Sequence, residues 1–312
     1  MQGKPVAMDK FHSKTLIVIV GPTAVGKTAV AIELAQHYNT AILSADSRQF
    51  YREMFIGTAK PTSDELTAAK HYFIDSHSVD DLFTVAAFEK QGLALLSELF
   101  KDKDVVILAG GSGLYVNAIC DGFDDIPNAL PGIREKLNDE LAEKGLTYLQ
   151  EKLRLADPDY YAQVDLNNPQ RVIRALEVFE SSGVPFSSYR KSNKTARPFN
   201  IIKIGLDLPR PLLYQRINKR VDVMVEQGLV DEVKDLLPYR HLNALNTVGY
   251  NEIFEYLDGS ITLETAIDRV KQNTRRFAKR QLTWFRRDAA TQWFTADESL
   301  ATNIKAFLLD KF

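Results

Sequence analysis

The chain has 312 residues, enough for about two domains, and its make-up of 45% apolar and 26% charged residues with Gly 16 and Pro 12 excludes collagen-like and wholly disordered chains. Lys and Arg number 39 against 41 Asp and Glu, a formal charge of −2, which excludes a uniformly basic nucleic-acid binder but leaves room for a local basic patch. The single cysteine, Cys120, excludes an internal disulfide framework and a cysteine-rich zinc module, and it suits a reducing cytoplasm.

Residues 1–13 precede the first apolar run and are expected to form a flexible tail. The run at 16–20 is too short for a signal-peptide core or a membrane span, and no later stretch is long enough, so a membrane is excluded as a partner. Its β-branched residues predict a strand buried on both faces. Helical spacing follows over 28–37, then a short strand over 41–44. A helix is predicted over 84–100, with Val85, Phe88, Leu95, Leu96 and Leu99 inward, and a buried strand over 105–108. Such alternation predicts a parallel sheet covered on both faces. Gly122, Pro127, Pro131 and Gly132 then mark a linker. From Ile133 to about Ser182 the pattern is helical without a good strand. Asn168, Pro169 and Gly183 supply the cap, first turn and stop of one helix. A polar loop is expected over 187–197, a strand over 199–206, and helices thereafter.

Gly21, Pro22, Thr23, Ala24, Val25, Gly26, Lys27 and Thr28 match the phosphate-loop pattern G-x-x-x-x-G-K-[ST], between a strand and a helix as the motif requires. Backbone N–H groups of such a loop converge on phosphate oxygens, and the helix N-terminus adds a favourable dipole. Lys27 supplies a point charge, and Thr28 offers a hydroxyl ligand for Mg²⁺. The fold expectation is therefore an α/β, P-loop NTPase-like parallel sheet flanked by helices, built from 14–120 and 198–312, with an all-helical insertion over 121–197. An NTPase usually places an acid at the end of a neighbouring strand to help hold Mg²⁺. Here the strand at 105–108 runs into Ala109-Gly110-Gly111-Ser112-Gly113, with no carboxylate. That leaves room for another phosphorylated ligand, including a diphosphate. Asp46, just past a short strand, is the carboxylate best placed to act as a base or to orient a substrate; a turn aspartate is the bland alternative.

Residues 269–287 contain Arg269, Lys271, Arg275, Arg276, Lys279, Arg280, Arg286 and Arg287 with no acid, interleaved with Trp284 and Phe285. Basic and aromatic residues together suit a phosphate backbone and stacked bases, and a solvated helix face is the alternative. Gln170, Arg171 and Arg174 form a second basic cluster, for which exposed Arg–Glu pairing through Glu177 is an equal alternative. Arg216 and Arg220 lie four apart on one helix, where an anion between them would relieve their repulsion. His12, His37, His71, His77 and His241 show no ligand spacing, so no transition-metal site is assigned.

Further motifs recur in order: Ser44-Ala45-Asp46-Ser47-Arg48-Gln49, Ile56-Gly57-Thr58-Ala59-Lys60-Pro61, Gly110-Gly111-Ser112-Gly113-Leu114-Tyr115 and Asn168-Pro169-Gln170-Arg171. Met224 with Gly228-Leu229 and Glu232-Val233, Val248-Gly249-Tyr250 and Lys279-Arg280-Gln281-Leu282-Thr283-Trp284 follow. Together with the phosphate loop they closely resemble the bacterial tRNA dimethylallyltransferase family over about residues 15–293. The resemblance implies transfer of a dimethylallyl group from dimethylallyl diphosphate to the exocyclic N6 amine of the adenosine 3′ to the tRNA anticodon. It implies that Asp46 is the general base, that the phosphate loop and Arg220 hold the diphosphate, and that Thr28 helps to hold Mg²⁺. It places tRNA contacts on Asp46, Ser47, Arg48, Gln49, Ser112, Arg134, Gln170, Arg171, Val172, Ile173, Arg174, Asn246, Thr247, Val248, Gly249, Tyr250 and Asn251, to which the basic run adds Arg276, Lys279 and Arg280. The helical insertion is expected to grip the anticodon stem-loop, and a cytoplasmic monomer is expected. Where the family usually has threonine after two glycines, this chain has Ser112, which keeps the hydroxyl. A phosphate-loop kinase using ATP, or an RNA-binding module with a relic loop, remains as the rival reading.

Overall fold

The computed structural model describes residues 14–124, 126–127, 129–190 and 195–311; the expected tail at 1–13 lies outside the described residues. The first elements are β1 (Thr15–Val20), α1 (Lys27–His37), β2 (Ile42–Ser44), α2 (Ser63–Ala68), β3 (His71–Tyr72), α3 (Val85–Asp102), β4 (Val105–Gly110) and α4 (Gly113–Asp121). Next come α5 (Ile133–Ala156), α6 (Pro158–Tyr161), α7 (Pro169–Ser182) and α8 (Phe186–Tyr189). The chain returns with β5 (Asn200–Asp207), α9 (Arg210–Glu226), α10 (Leu229–Asp235), α11 (Asn251–Leu257), α12 (Leu263–Phe285), β6 (Gln292–Thr295) and α13 (Leu300–Leu309). The described residues of Met1–Cys120 and Arg197–Phe312 form one compact unit, and those of Asp121–Ala196 form another.

In the first unit the described strands make one six-stranded parallel sheet in the order β3-β2-β4-β1-β5-β6. Strand periodicity sorts its side chains onto two cores. Leu16, Val18, Val20, Leu43, Val106 and Leu108 face Phe88, Leu96 and Phe100 of α3, Val116 of α4 and Ile253 of α11. Ile17, Ile19, Ile42, Ile107 and Ile204 face Val30 and Leu34 of α1, Ile217 of α9 and Ile304 of α13. β1 is buried along its whole length because it lies between β4 and β5 with helices on both faces. Cys120 is a buried free thiol in the first of these cores.

Several boundaries differ from the expectation. β6 stands where helices were expected: four residues with only Trp293 and Phe294 apolar, at the sheet edge, are too few to show alternation. β3, at the other edge, is two residues long. The polar loop expected from 187 begins inside α8, while 191–194 lie outside the described residues.

The second unit is helical and has its own core of Leu137, Leu149, Leu153, Val172, Leu176 and Phe186. The Asn168 side chain caps α7 by accepting the Arg171 N–H at 3.3 Å, and α7 stops at Gly183. Asp157 is 1% exposed; it accepts the Tyr160 N–H at 3.0 Å and the Ser187 N–H and hydroxyl each at 2.7 Å, which joins α6 to α8. Among the described residues no helix is long and apolar enough to cross a membrane. Replacing Asp157 with alanine strands these donors, so thermal unfolding should show this unit destabilised by about 1–3 kcal/mol; an unchanged melting profile would mean that the bonds carry little of its stability.

Candidate active site

Because the strands are parallel, the loops that follow them emerge at one edge of the sheet, where ligands of open α/β sheets bind. After β1, Ala24 and Gly26 take left-handed φ values of 66° and 109°, in a curled backbone of the kind that gathers N–H groups about an anion. No side chain caps α1, whereas Thr62, Thr84 and Thr262 cap α2, α3 and α12. The first N–H groups of α1 thus keep their capacity for an anion. Lys27 Nζ donates to the carbonyls of Gly21 at 3.0 Å and Pro22 at 2.8 Å.

The loop after β2 carries Asp46, whose Oδ1 accepts the Arg48 N–H at 3.0 Å in a tight turn. The Ser47 N–H donates to Ser112 Oγ at 2.9 Å, and the Ser112 N–H donates to the Ala45 carbonyl at 3.2 Å, so the loops after β2 and β4 are stitched together. Gln49 accepts the Ser44 hydroxyl at 3.1 Å and donates to the carbonyls of Thr58 and Ala59 at 3.2 and 3.1 Å. Arg48 reaches the carbonyls of Asn243 at 3.1 Å and Asn246 at 3.4 Å. From α9, Arg220 reaches Thr23 Oγ1 at 3.5 Å, and Arg216 reaches the Val25 carbonyl at 3.4 Å.

A cleft of about 780 Å³ opens among these loops, lined also by one face of α12 through Val270, Thr274, Phe277, Arg280 and Gln281. Burial pushes the Lys27 ammonium down to about 8; the Asp46 carboxylate opposes this and the Arg220 charge adds to it. Surrounding protein also lowers Arg220, with Glu65 opposing, yet a guanidinium stays charged at neutral pH. The phosphate loop, the Asp46 carboxylate and the Lys27 and Arg220 cations thus share one concave site, with no carboxylate on residues 109–113 at the end of β4 and just past it.

The IPP transferase family matches residues 49–288. The chain belongs to that family. It is 53% identical to the tRNA dimethylallyltransferase of Christiangramia forsetii over 92% of this chain and 95% of that protein. It is 50% identical to the tRNA dimethylallyltransferase of Cytophaga hutchinsonii over 96% and 97%. The crystal structure of the full-length tRNA isopentenylpyrophosphate transferase from Bacillus halodurans superposes with a TM-score of 0.71 at 41% identity, covering 96% of each chain.

Of the residues expected at the site, the cleft gathers Thr23, Ala24, Gly26, Lys27, Thr28, Asp46, Ser47, Arg48, Gln49, Ser112, Arg220, Asn246, Thr247, Val248, Gly249, Asn251 and Arg280. Gly21, Pro22 and Val25 are buried and do not line it. Tyr250 corrects the sequence expectation: it is fully buried and its hydroxyl donates to Glu232 Oε1 at 2.7 Å, so its side chain is a packing group with no surface to offer RNA. Arg276 and Lys279 do not line this cleft; Lys279 lines a separate cavity of about 360 Å³ with Arg210 and Arg286. The basic run is also partly neutralised, since Arg269 pairs with Glu255 at 2.5 Å, Lys271 with Asp222 at 2.6 Å, and Arg286 with Asp207.

Arg134, Gln170, Arg171 and Arg174 lie in the helical unit. There buried Glu177 accepts Arg134 at 2.9 Å and Arg174 at 3.4 Å, while Gln170 and Arg171 are exposed. Val172 and Ile173 are fully buried in that unit's core, so their side chains are packing residues and not RNA contacts. They fell within the expected stretch because one turn of a helix presents both a wet and a dry face.

Glu232 carries a role that its place in a motif does not disclose. From α10 its carboxylate accepts the N–H groups of Phe55 at 2.9 Å, Ile56 at 2.5 Å and Gly57 at 3.0 Å, besides the Tyr250 hydroxyl. These donors hold the 55–60 loop that supplies Ile56, Gly57, Thr58, Ala59 and Lys60 to the cleft wall. The loop lies some 175 positions away in sequence, so no local signal joins the two. Glu232→Gln turns one acceptor into a donor, so at least one of the three N–H groups faces an NH₂ group, since only the Tyr250 hydroxyl can reverse its bond. Amide hydrogen exchange at Phe55, Ile56 and Gly57 should then quicken by about tenfold or more; unchanged protection would show that other contacts hold the loop.

Proposed function

We propose that this chain transfers a dimethylallyl group from dimethylallyl diphosphate to the N6 amine of the adenosine 3′ to the tRNA anticodon, releasing diphosphate. The observation that carries the reading is the meeting of the phosphate loop, Asp46, Arg220 and the α12 face in one cleft. The relatives' names give the reaction class, and the residues supply a physical route to it. The allylic C–O bond breaks with its electron pair leaving on the diphosphate, and the N6 lone pair forms the new C–N bond. Charge grows on the leaving group, where Lys27, Arg220 and the uncapped N–H groups of α1 are already gathered in the cleft. The amine proton passes to the Asp46 carboxylate, which lines the same cleft. An adenine must leave its stack to reach that carbon, at a cost lower in a loop than in a duplex.

Mg²⁺ bound to diphosphate oxygens would neutralise leaving-group charge. The donor set suits it: Thr28 lines the cleft and would offer its hydroxyl as a ligand. Mg²⁺ is commonly held by substrate phosphates and water with few protein ligands. The reaction is placed in the cytoplasm with its tRNA substrate, and the chain is read as a monomer. A kinase is disfavoured by the absence of a carboxylate on residues 109–113 and has little use for Arg280 on the cleft face of α12.

Unmodified tRNA, Mg²⁺ and labelled dimethylallyl diphosphate without ATP should give labelled RNA, and an ATP-dependent phosphorylated product instead would overturn the reading. Asp46→Ala should retain tRNA binding while losing about 10²–10⁴-fold in transfer rate; a variant at wild-type rate would remove Asp46 from the chemistry. The Lys27 ammonium is charged below about 8 and neutral above it. The kcat/KM for the diphosphate should therefore fall as pH rises through that value. The kcat profile should fall at higher pH, because the bound anion favours the charged form. A flat kcat/KM profile from pH 7 to 9 would deny Lys27 the role of diphosphate ligand.

A further inference from the structure

One side chain links α12 to the phosphate loop. Gln281 is 6% exposed; its Oε1 accepts the Thr23 N–H at 2.8 Å and its Nε2 donates to the Gly111 carbonyl at 2.9 Å. An N–H can only donate and a carbonyl can only accept, so these partners fix which way the carboxamide points. The seat is tight. A Cβ on Gly111 would lie 2.3 Å from Gln281 Nε2, and one on Gly113 would lie 2.2 Å from the Trp284 ring, three residues further along α12. The glycines after β4 are thus the surface on which this face of α12 rests.

The Thr23 N–H and the Pro22 carbonyl belong to one planar peptide unit. Gln281 holds that unit by its N–H, and Lys27 Nζ rests on its carbonyl at 2.8 Å. Turning the plane would carry away the acceptor on which the Lys27 ammonium sits. On the same helix, Thr274, Phe277 and Arg280 line the cleft, and among the described residues Arg280 has no carboxylate partner. A polyanion drawn to Arg280 therefore bears on the helix whose next residue sets the plane beneath Lys27.

We propose that Gln281 is a positioning residue that couples the seat of α12 to the placement of Lys27, so that RNA against α12 and diphosphate on the phosphate loop tighten each other's binding. This rests on the transferase reading given above. Linkage makes the effect reciprocal, so either ligand reports it.

The test is the dissociation constant of inorganic pyrophosphate with Mg²⁺, measured by calorimetry with and without an unmodified anticodon stem-loop. In the wild-type chain the stem-loop should tighten pyrophosphate about fivefold or more. Gln281→Met keeps the side chain's length and removes both bonds. Pyrophosphate alone should then bind about tenfold more weakly, and the coupling factor should fall to about one, with the circular dichroism spectrum unchanged. Gln281→Glu keeps the acceptor for Thr23 and loses the donor to Gly111. Its added charge weakens pyrophosphate equally with and without RNA and so cancels in the factor, which should still fall below wild type; this variant decides the matter if the methionine variant does not fold. A wild-type factor in either folded variant overturns the coupling, as does a factor of one in a wild-type chain that labels RNA. A wild-type chain that puts no label into RNA overturns the transferase reading instead.

Discussion

The shared direction of the six strands is the constraint from which the site follows. A parallel strand must be reached by a crossover, so each strand of the sheet sends its following loop to the same edge. With β1 between β4 and β5, and β2 beside β4, the loops after β1, β2 and β4 converge although Lys27, Asp46 and Ser112 are far apart in the chain. An antiparallel pairing of any of these strands would have sent one of the three groups to the opposite end. The alternation in β1 serves the same purpose: Leu16, Val18 and Val20 face one core and Ile17 and Ile19 the other, which fixes the strand that launches the phosphate loop.

Charge in this site is held under tension that substrate can relieve. Lys27 is buried enough to lower its proton affinity, and it occupies two loop carbonyls in place of an anion. The start of α1 carries no side-chain cap, unlike α2, α3 and α12 with their threonines. Both are unfavourable in a bare fold, and both become favourable once phosphate oxygens arrive. The surrounding helices hold the loops in place at long range: Glu232 fixes the 55–57 backbone and Gln281 fixes Thr23 and Gly111.

Strong local signals were legible in the sequence, and long-range pairings were not. The β-branched run of β1, the phosphate-loop pattern and the Asn168–Pro169–Gly183 punctuation each act within a few residues, and each appears where the residues required. β6 escaped because an edge strand of four residues, half-buried, is specified by pairing with β5 more than by its own pattern. Tyr250 was read as an RNA contact because a motif records which residues matter without saying whether they touch the ligand or what holds it. Val172 and Ile173 show the same limit on a helix, where buried and exposed positions interleave within one turn. Glu232 had no local signal, since its four donors lie on other segments.

The net charge of −2 conceals how the charges are deployed. Three of the eight bases between 269 and 287 are taken by Glu255, Asp222 and Asp207 on other segments. Exposed pairs of that kind add little stability singly, so their effect is mainly to neutralise charge that does not line the cleft. Arg280 is left without an acidic partner among the described residues, and it lines the same cleft as Lys27, Arg48 and Arg220. Against these cations stand Asp46 and Glu65, a balance that favours a polyanion where the wall narrows the field and not across the surface at large. A near-neutral chain can therefore offer a polyanion one cation-lined groove, and the groove is the one into which the phosphate loop opens.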